Sequence, residues 1–194
     1  QIDGAIPMLT DLEGPPYNKL LGPIKPRGKP NGLILKSGKI VGSWGNPDRP
    51  DMTFSIAKSY LSALAGIALA DGLIDDVNEP VKLKITNELF GSPQNASITW
   101  HSLLQQTSEW EGTLFGRPDL VDRNRQVGPN ANNRLKGQYR ELLEPGSFWE
   151  YNDVRVNLLS LCLLYLFKKP LPEILKARIM DPIGASDSWS WYGY

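Results

Sequence analysis

Ser55-Ile56-Ala57-Lys58 is the stretch of this sequence where residue type and spacing together can do covalent chemistry. On a helix, residues i and i+3 share a face, which brings a lysine amine within reach of a serine hydroxyl. Serine is a weak nucleophile until a base takes its proton. A lysine serves as that base only where burial or a nearby cation lowers its pKa. The segment that follows supplies the burial: Ile56, Leu61, Leu64, Ile67, Ala68 and Leu69 make a helix over 55–71 that is apolar over most of its circumference. Its first turn also offers backbone N–H groups and the positive end of the helix dipole to an oxyanion. Ser-x-x-Lys arises by chance as well, and Ser55 alone reads equally as a helix N-cap.

The elements that would position this pair are legible in outline. Residues 1–30 are rich in Pro and Gly and read as an irregular N-terminal segment. Within 31–50, two strand-like runs flank Ser37-Gly38, a β-hairpin signal. Residues 51–194 read as mainly helical. Gly72 suits the C′ position after the first helix. A second helix spans Thr99 to Gln106 with Thr99 as N-cap, a third 153–168, and a fourth Pro172 to Met180. Residues 107–140 are polar, carry scattered Gly, Pro and Asn, and predict a loop region with short helices that shapes specificity. Trp100, Trp110, Trp149, Trp189 and Trp191 suit a core or a cleft wall equally.

Composition narrows the function classes. The 194 residues suffice for one domain with a sizeable core. Lys+Arg and Asp+Glu balance at 21 each, so charge gives no case for nucleic acid or an anionic membrane. The longest apolar run, Val156 to Phe167, is too short to span a bilayer. The single cysteine, Cys162, sits in that run and reads as a buried, inert thiol; no intrachain disulfide can form, and the compartment stays open. His101 is the only histidine, and with no Cys or carboxylate cluster around it no metal site is expected. No cofactor is called for.

Four blocks, taken together, carry a resemblance. They are Phe54-Ser55-Ile56-Ala57-Lys58-Ser59-Tyr60 running on to Asp71-Gly72-Leu73-Ile74; Ile98-Thr99-Trp100 through Thr107-Ser108; Pro145-Gly146 through Tyr151-Asn152-Asp153; and Leu175 through Met180-Asp181-Pro182-Ile183-Gly184-Ala185. In this order they resemble the β-lactamase / penicillin-binding-protein superfamily, in its class C β-lactamase-like esterase and amide hydrolase branch, from about Gly32 to the end. The resemblance implies an α+β fold of the β-lactamase/transpeptidase type, with a helical subdomain packed on an antiparallel sheet. It implies a serine hydrolase acting through a covalent acyl-enzyme on an ester, amide or β-lactam carbonyl of a small molecule. Ser55 is then the nucleophile, Lys58 its base, and Tyr151 a partner in the proton network that protonates the leaving group.

Two departures bear on this expectation. The family pattern is Tyr-x-Asn, and here the third position is Asp153. Asp153 is placed to orient Lys58, but its charge raises the lysine pKa; Asn152 is the other candidate for the asparagine's orienting role, its side chain pointing elsewhere. The third family motif, Lys-Thr-Gly or His-x-Gly on a strand beside the site, is not found. With the aromatic ending Trp189 to Tyr194, this predicts a partial domain over 1–194 whose C-terminal strands are missing from the chain, with an incomplete site unless a second polypeptide supplies the rest. The alternatives are a non-catalytic binding protein of the same fold and a penicillin-binding carboxypeptidase.

Overall fold

The computed structural model describes residues 15–17, 19, 26 and 28–192. Most of the irregular segment expected over 1–30, and the last two residues of the aromatic ending, lie outside that range. By its contacts the chain divides into two units: residues 55–184, and the described residues through Phe54 together with residues 185–192.

In the smaller unit, Ser37 and Gly38 both take positive φ, +50° and +75°. That is the backbone of a two-residue hairpin turn whose twist matches its strands. It joins β1 (Gly32–Lys36) to the antiparallel β2 (Lys39–Trp44). Leu33 pairs with Ser43 and Leu35 with Ile40, with a register shift between Ile34 and Leu35.

The larger unit is built on helices. A 3-10 turn, Phe54–Ile56, runs into α1 (Ala57–Ala70). Gly72, at φ +71°, ends α1 in a left-handed turn: its N–H bonds Leu69 O, and the Leu73 N–H bonds Ala68 O. Helix α2 (Trp100–Leu104) opens with a capping box between Thr99 and Ser102. Helix α3 (Asp153–Phe167) is the centre of the unit, packing on α1, α2 and α4 (Leu171–Leu175). The fourth helical stretch continues as a wider π-helical turn over Lys176–Met180.

Leu61, Leu64, Ala65 and Ala68 of α1 meet Val154, Leu158, Leu159, Cys162 and Leu163 of α3 in an apolar core, with Trp100, Leu103, Leu171 and Leu175 around them. Burying each large apolar side chain contributes about 1.5–3 kcal/mol before entropy is subtracted.

Between α2 and α3 the segment read from the sequence as loop with short helices is mostly loop and carries in addition a small hairpin. Strands β3 (Thr113–Leu114) and β4 (Arg117–Pro118) form that hairpin, followed by a 3-10 turn, Asp119–Asp122. Beneath them lies a buried ionic lattice. Arg155 of α3 donates from Nε to Trp110 O at 3.0 Å, from Nη1 to Glu109 Oε1 at 2.8 Å and from Nη2 to Asp119 Oδ2 at 3.3 Å. Arg140 grips both Glu109 oxygens at 2.6 Å, and Arg123 takes both Asp119 oxygens at 2.8 and 3.2 Å. Glu150 joins Arg140 and receives the Asn124 N–H at 2.7 Å. Such a lattice answers the high cost of unpaired buried charge. Among the described residues, no helix is long and apolar enough to cross a membrane, and no His, Cys, Asp and Glu cluster suits a metal ion.

Candidate active site

Ser55 lies in the 3-10 turn and Lys58 one residue into α1, so both face the same way as the chain enters the helix. The residue before the serine, Phe54, has φ +48°. That is the left-handed region, costly for an aromatic residue, and strain of this kind collects at functional turns. No side chain caps the start of α1. Ser55 is exposed, while Lys58 and Tyr151 are half-buried.

Three polar atoms meet at the serine. Lys58 Nζ donates to Ser55 Oγ at 3.1 Å, and Ser55 Oγ and Tyr151 Oη share a hydrogen bond of 2.6 Å. Lys58 Nζ also lies 4.7 Å from the centroid of the Tyr151 ring. Tyr151 immediately precedes the Asn152 cap of α3, which is why a residue far along the chain reaches Ser55.

Asp153 closes the group from the first turn of α3. Its Oδ1 lies 2.8 Å from Lys58 Nζ and makes no directed hydrogen bond, so the contact is an ion pair. Its Oδ2 accepts from Arg125 Nη1 at 2.7 Å. Burial works to lower the Lys58 pKa, but Asp153, helped by Tyr151, outweighs it and holds the amine above the usual lysine range. Burial works to raise the Asp153 pKa, and Lys58 and Arg125 together keep it below the usual carboxylate range. The resting lysine is therefore an ammonium.

Asn152 is turned away from this group. Its Oδ1 accepts from the Val154 and Arg155 N–H groups and its Nδ2 donates to Asp119 O at 2.9 Å, so it is a fully buried cap. His101 is exposed on α2. Trp100 and Trp110 are core residues, while Trp149 is 52% exposed with its ring centroid 6.4 Å from that of Tyr151. Arg125, which the sequence reading did not single out, reaches the group from the polar segment. Its guanidinium carbon lies 4.8 Å from the Tyr151 ring centroid. No periodicity or motif marks it; the one sequence signal for it is the need of Asp153 for a second counter-charge.

Ser55, Lys58 and Tyr151 meet at the entrance of α1, and the helices and small antiparallel sheets of the chain belong to the serine hydrolase-type fold of the β-lactamases. The family model described as Beta-lactamase matches residues 33–192, and the chain belongs to that family. A solved structure with a similar fold is the putative 6-aminohexanoate-dimer hydrolase from Bacillus anthracis, at 20% sequence identity and a TM-score of 0.51. The match covers 76% of this chain and 42% of that one. The chain thus spans less than half the length of that relative. No curated protein matches it.

Proposed function

We propose that Ser55 is the acylated nucleophile of a serine hydrolase acting on an ester, amide or β-lactam carbonyl of a small molecule. The observation that carries this reading is Ser55 Oγ held at once by Tyr151 Oη at 2.6 Å and Lys58 Nζ at 3.1 Å. In the fraction of molecules where Lys58 is a free amine, Nζ accepts the hydroxyl proton as Oγ attacks the carbonyl carbon. When the tetrahedral adduct collapses, the carbon–oxygen or carbon–nitrogen bond breaks. Tyr151 gives its proton to the departing atom and is reprotonated from Lys58, with which it interacts directly. Water then attacks the acyl ester, freeing the acid and restoring Ser55. Backbone N–H groups at the uncapped start of α1 are suited to the oxyanion. Trp149, exposed beside Tyr151, suits a wall of the substrate cleft.

The test is intact mass of the full natural protein after exposure to a fluorophosphonate and, separately, to a penicillin, an aryl ester and a linear amide such as the 6-aminohexanoate dimer. One covalent adduct, lost in Ser55→Ala, is expected with the fluorophosphonate; turnover in the panel names the substrate class. No adduct on folded protein, or an adduct that survives Ser55→Ala, overturns the reading. A second reading, a binding protein that keeps the fold without turnover, is favoured by one observation: the Lys58–Asp153 ion pair keeps the amine protonated.

A further inference from the structure

Arg125 has no part in the reaction just described, yet it sits against two of the groups around it. Its Nη1 donates to Asp153 Oδ2 at 2.7 Å and lies 3.4 Å from Asp122 Oδ1, while its guanidinium carbon faces the Tyr151 ring at 4.8 Å. Asp122 is itself tied to the site: its Oδ2 accepts the Asp153 N–H at 3.0 Å, and Lys136 Nζ lies 3.2 Å from its Oδ1. The guanidinium is only 18% exposed, so its charge is felt at close range.

The chemistry of the reading above needs a lysine that can lose its proton, and Asp153 opposes that loss. A carboxylate shared between two cations holds each less firmly than it would hold one alone, because the second cation offsets the first one's attraction and repels it besides. We propose that Arg125 is a positioning residue of the site: by occupying Asp153 Oδ2 it weakens the grip of Asp153 on the Lys58 proton and frees more of the amine to serve Ser55. This inference rests on the hydrolase reading for its consequence, but not for its physical content. The charged and titratable groups facing the pair are Ser55 and Lys58 from the entrance of α1, Tyr151 and Asp153 from the start of α3, and Arg125, Asp122 and Lys136 from the intervening segment.

The test measures the rate of fluorophosphonate labelling at Ser55 from pH 7 to 9 in the full natural protein and in Arg125→Gln, Arg125→Lys, Asp153→Asn and the Arg125→Gln/Asp153→Asn double variant. The Lys58 side-chain carbon signal is titrated by NMR in the same set. Arg125→Gln is expected to label about threefold more slowly at a given pH, the scale of a part-exposed ion pair, with the Lys58 titration moved upward. Arg125→Lys should recover most of the rate. In the Asp153→Asn background the Arg125→Gln change should slow labelling less than it does alone, because only the direct repulsion between the two cations is then lost. An unchanged Lys58 titration in Arg125→Gln overturns the proposal, as does the same slowing with and without Asp153. If the unaltered protein takes no label, the hydrolase reading fails, and the NMR titration still decides the role of Arg125.

Discussion

Replacing Asp153 with asparagine removes one charge from the site while keeping a polar side chain of nearly the same shape. The Lys58 ammonium and the Asp153 carboxylate are 2.8 Å apart. The Asp153 side chain is 43% exposed but its Oδ1 is shielded, so full water screening sets the lower bound on their attraction. Coulomb's law then gives about 1.5 kcal/mol at a dielectric constant of about 80. At about 1.4 kcal/mol per factor of ten, the substitution lowers the Lys58 pKa enough to enlarge the free-amine fraction about tenfold. The sign follows from which form the carboxylate favours: it stabilises the ammonium, and its removal enlarges the fraction of free amine at every pH below the lysine midpoint. If Lys58 acts as base, labelling of Ser55 by a fluorophosphonate between pH 7 and 9 should become about tenfold faster in Asp153→Asn, with the slope against pH unchanged. A slower or unchanged rate across that range would refute the reasoning. It would mean that Lys58 works as a cation that Asp153 holds in place.

Three further outcomes concern the body of the protein. Arg155→Met breaks the lattice at its most buried cation and should cost about 3 kcal/mol in urea unfolding; a loss below about 1 kcal/mol would mean that Arg140 and Arg123 neutralise Glu109 and Asp119 unaided. In the same lattice, burial pushes the Glu109 carboxyl up, but Arg140, the Leu143 N–H and Arg155 together hold it below its usual range. Its stabilisation is therefore present above the ordinary carboxylate pKa of about 4.3 and lost as pH falls through the depressed value, which a denaturation series on Glu109→Gln at falling pH should show as a flatter acid limb. Burial likewise pushes the Cys162 thiol far up, so iodoacetamide should leave native protein unmodified at pH 8 and alkylate it once unfolded.

The sequence shows its helices and its turns for different reasons. The apolar runs after Ser55 and after Asp153 are helices as read, but each buries only one face and leaves Leu69 and Leu164 exposed on the other, while Gly72 and Ser37-Gly38 mark turns by the backbone they permit. Tyr151 became legible only through an ordered set of blocks, because nothing in the spacing of Ser55 and Tyr151 along the chain says that they meet. Asp153 was visible as a departure from the family pattern, and its carboxylate lies 2.8 Å from Lys58 Nζ. Arg125 had no motif or period to mark it, and the Glu109, Asp119, Arg140 and Arg155 lattice was not visible at all. Pairing between charges far apart in sequence leaves no period, and a polar stretch such as 107–140 reads the same whether its charges are solvated or buried against one another.

From Asp119 to Glu150 the residues that are fully buried, Asp119, Asp122, Arg123 and Glu150, are all charged. Oily contact is indifferent to direction and can form early and loosely, whereas a forked ion pair in a dry interior is of use only when both partners arrive in register. Helices α1 and α3 can therefore dock on their apolar faces before the intervening segment has found its place. Arg125 is delivered to Asp153 with that segment and not before it. Ser55 and Lys58 meet within their own turn, but Arg125 reaches Asp153 only with the intervening segment in place, so the charges around the serine belong to the whole unit and not to one helix alone.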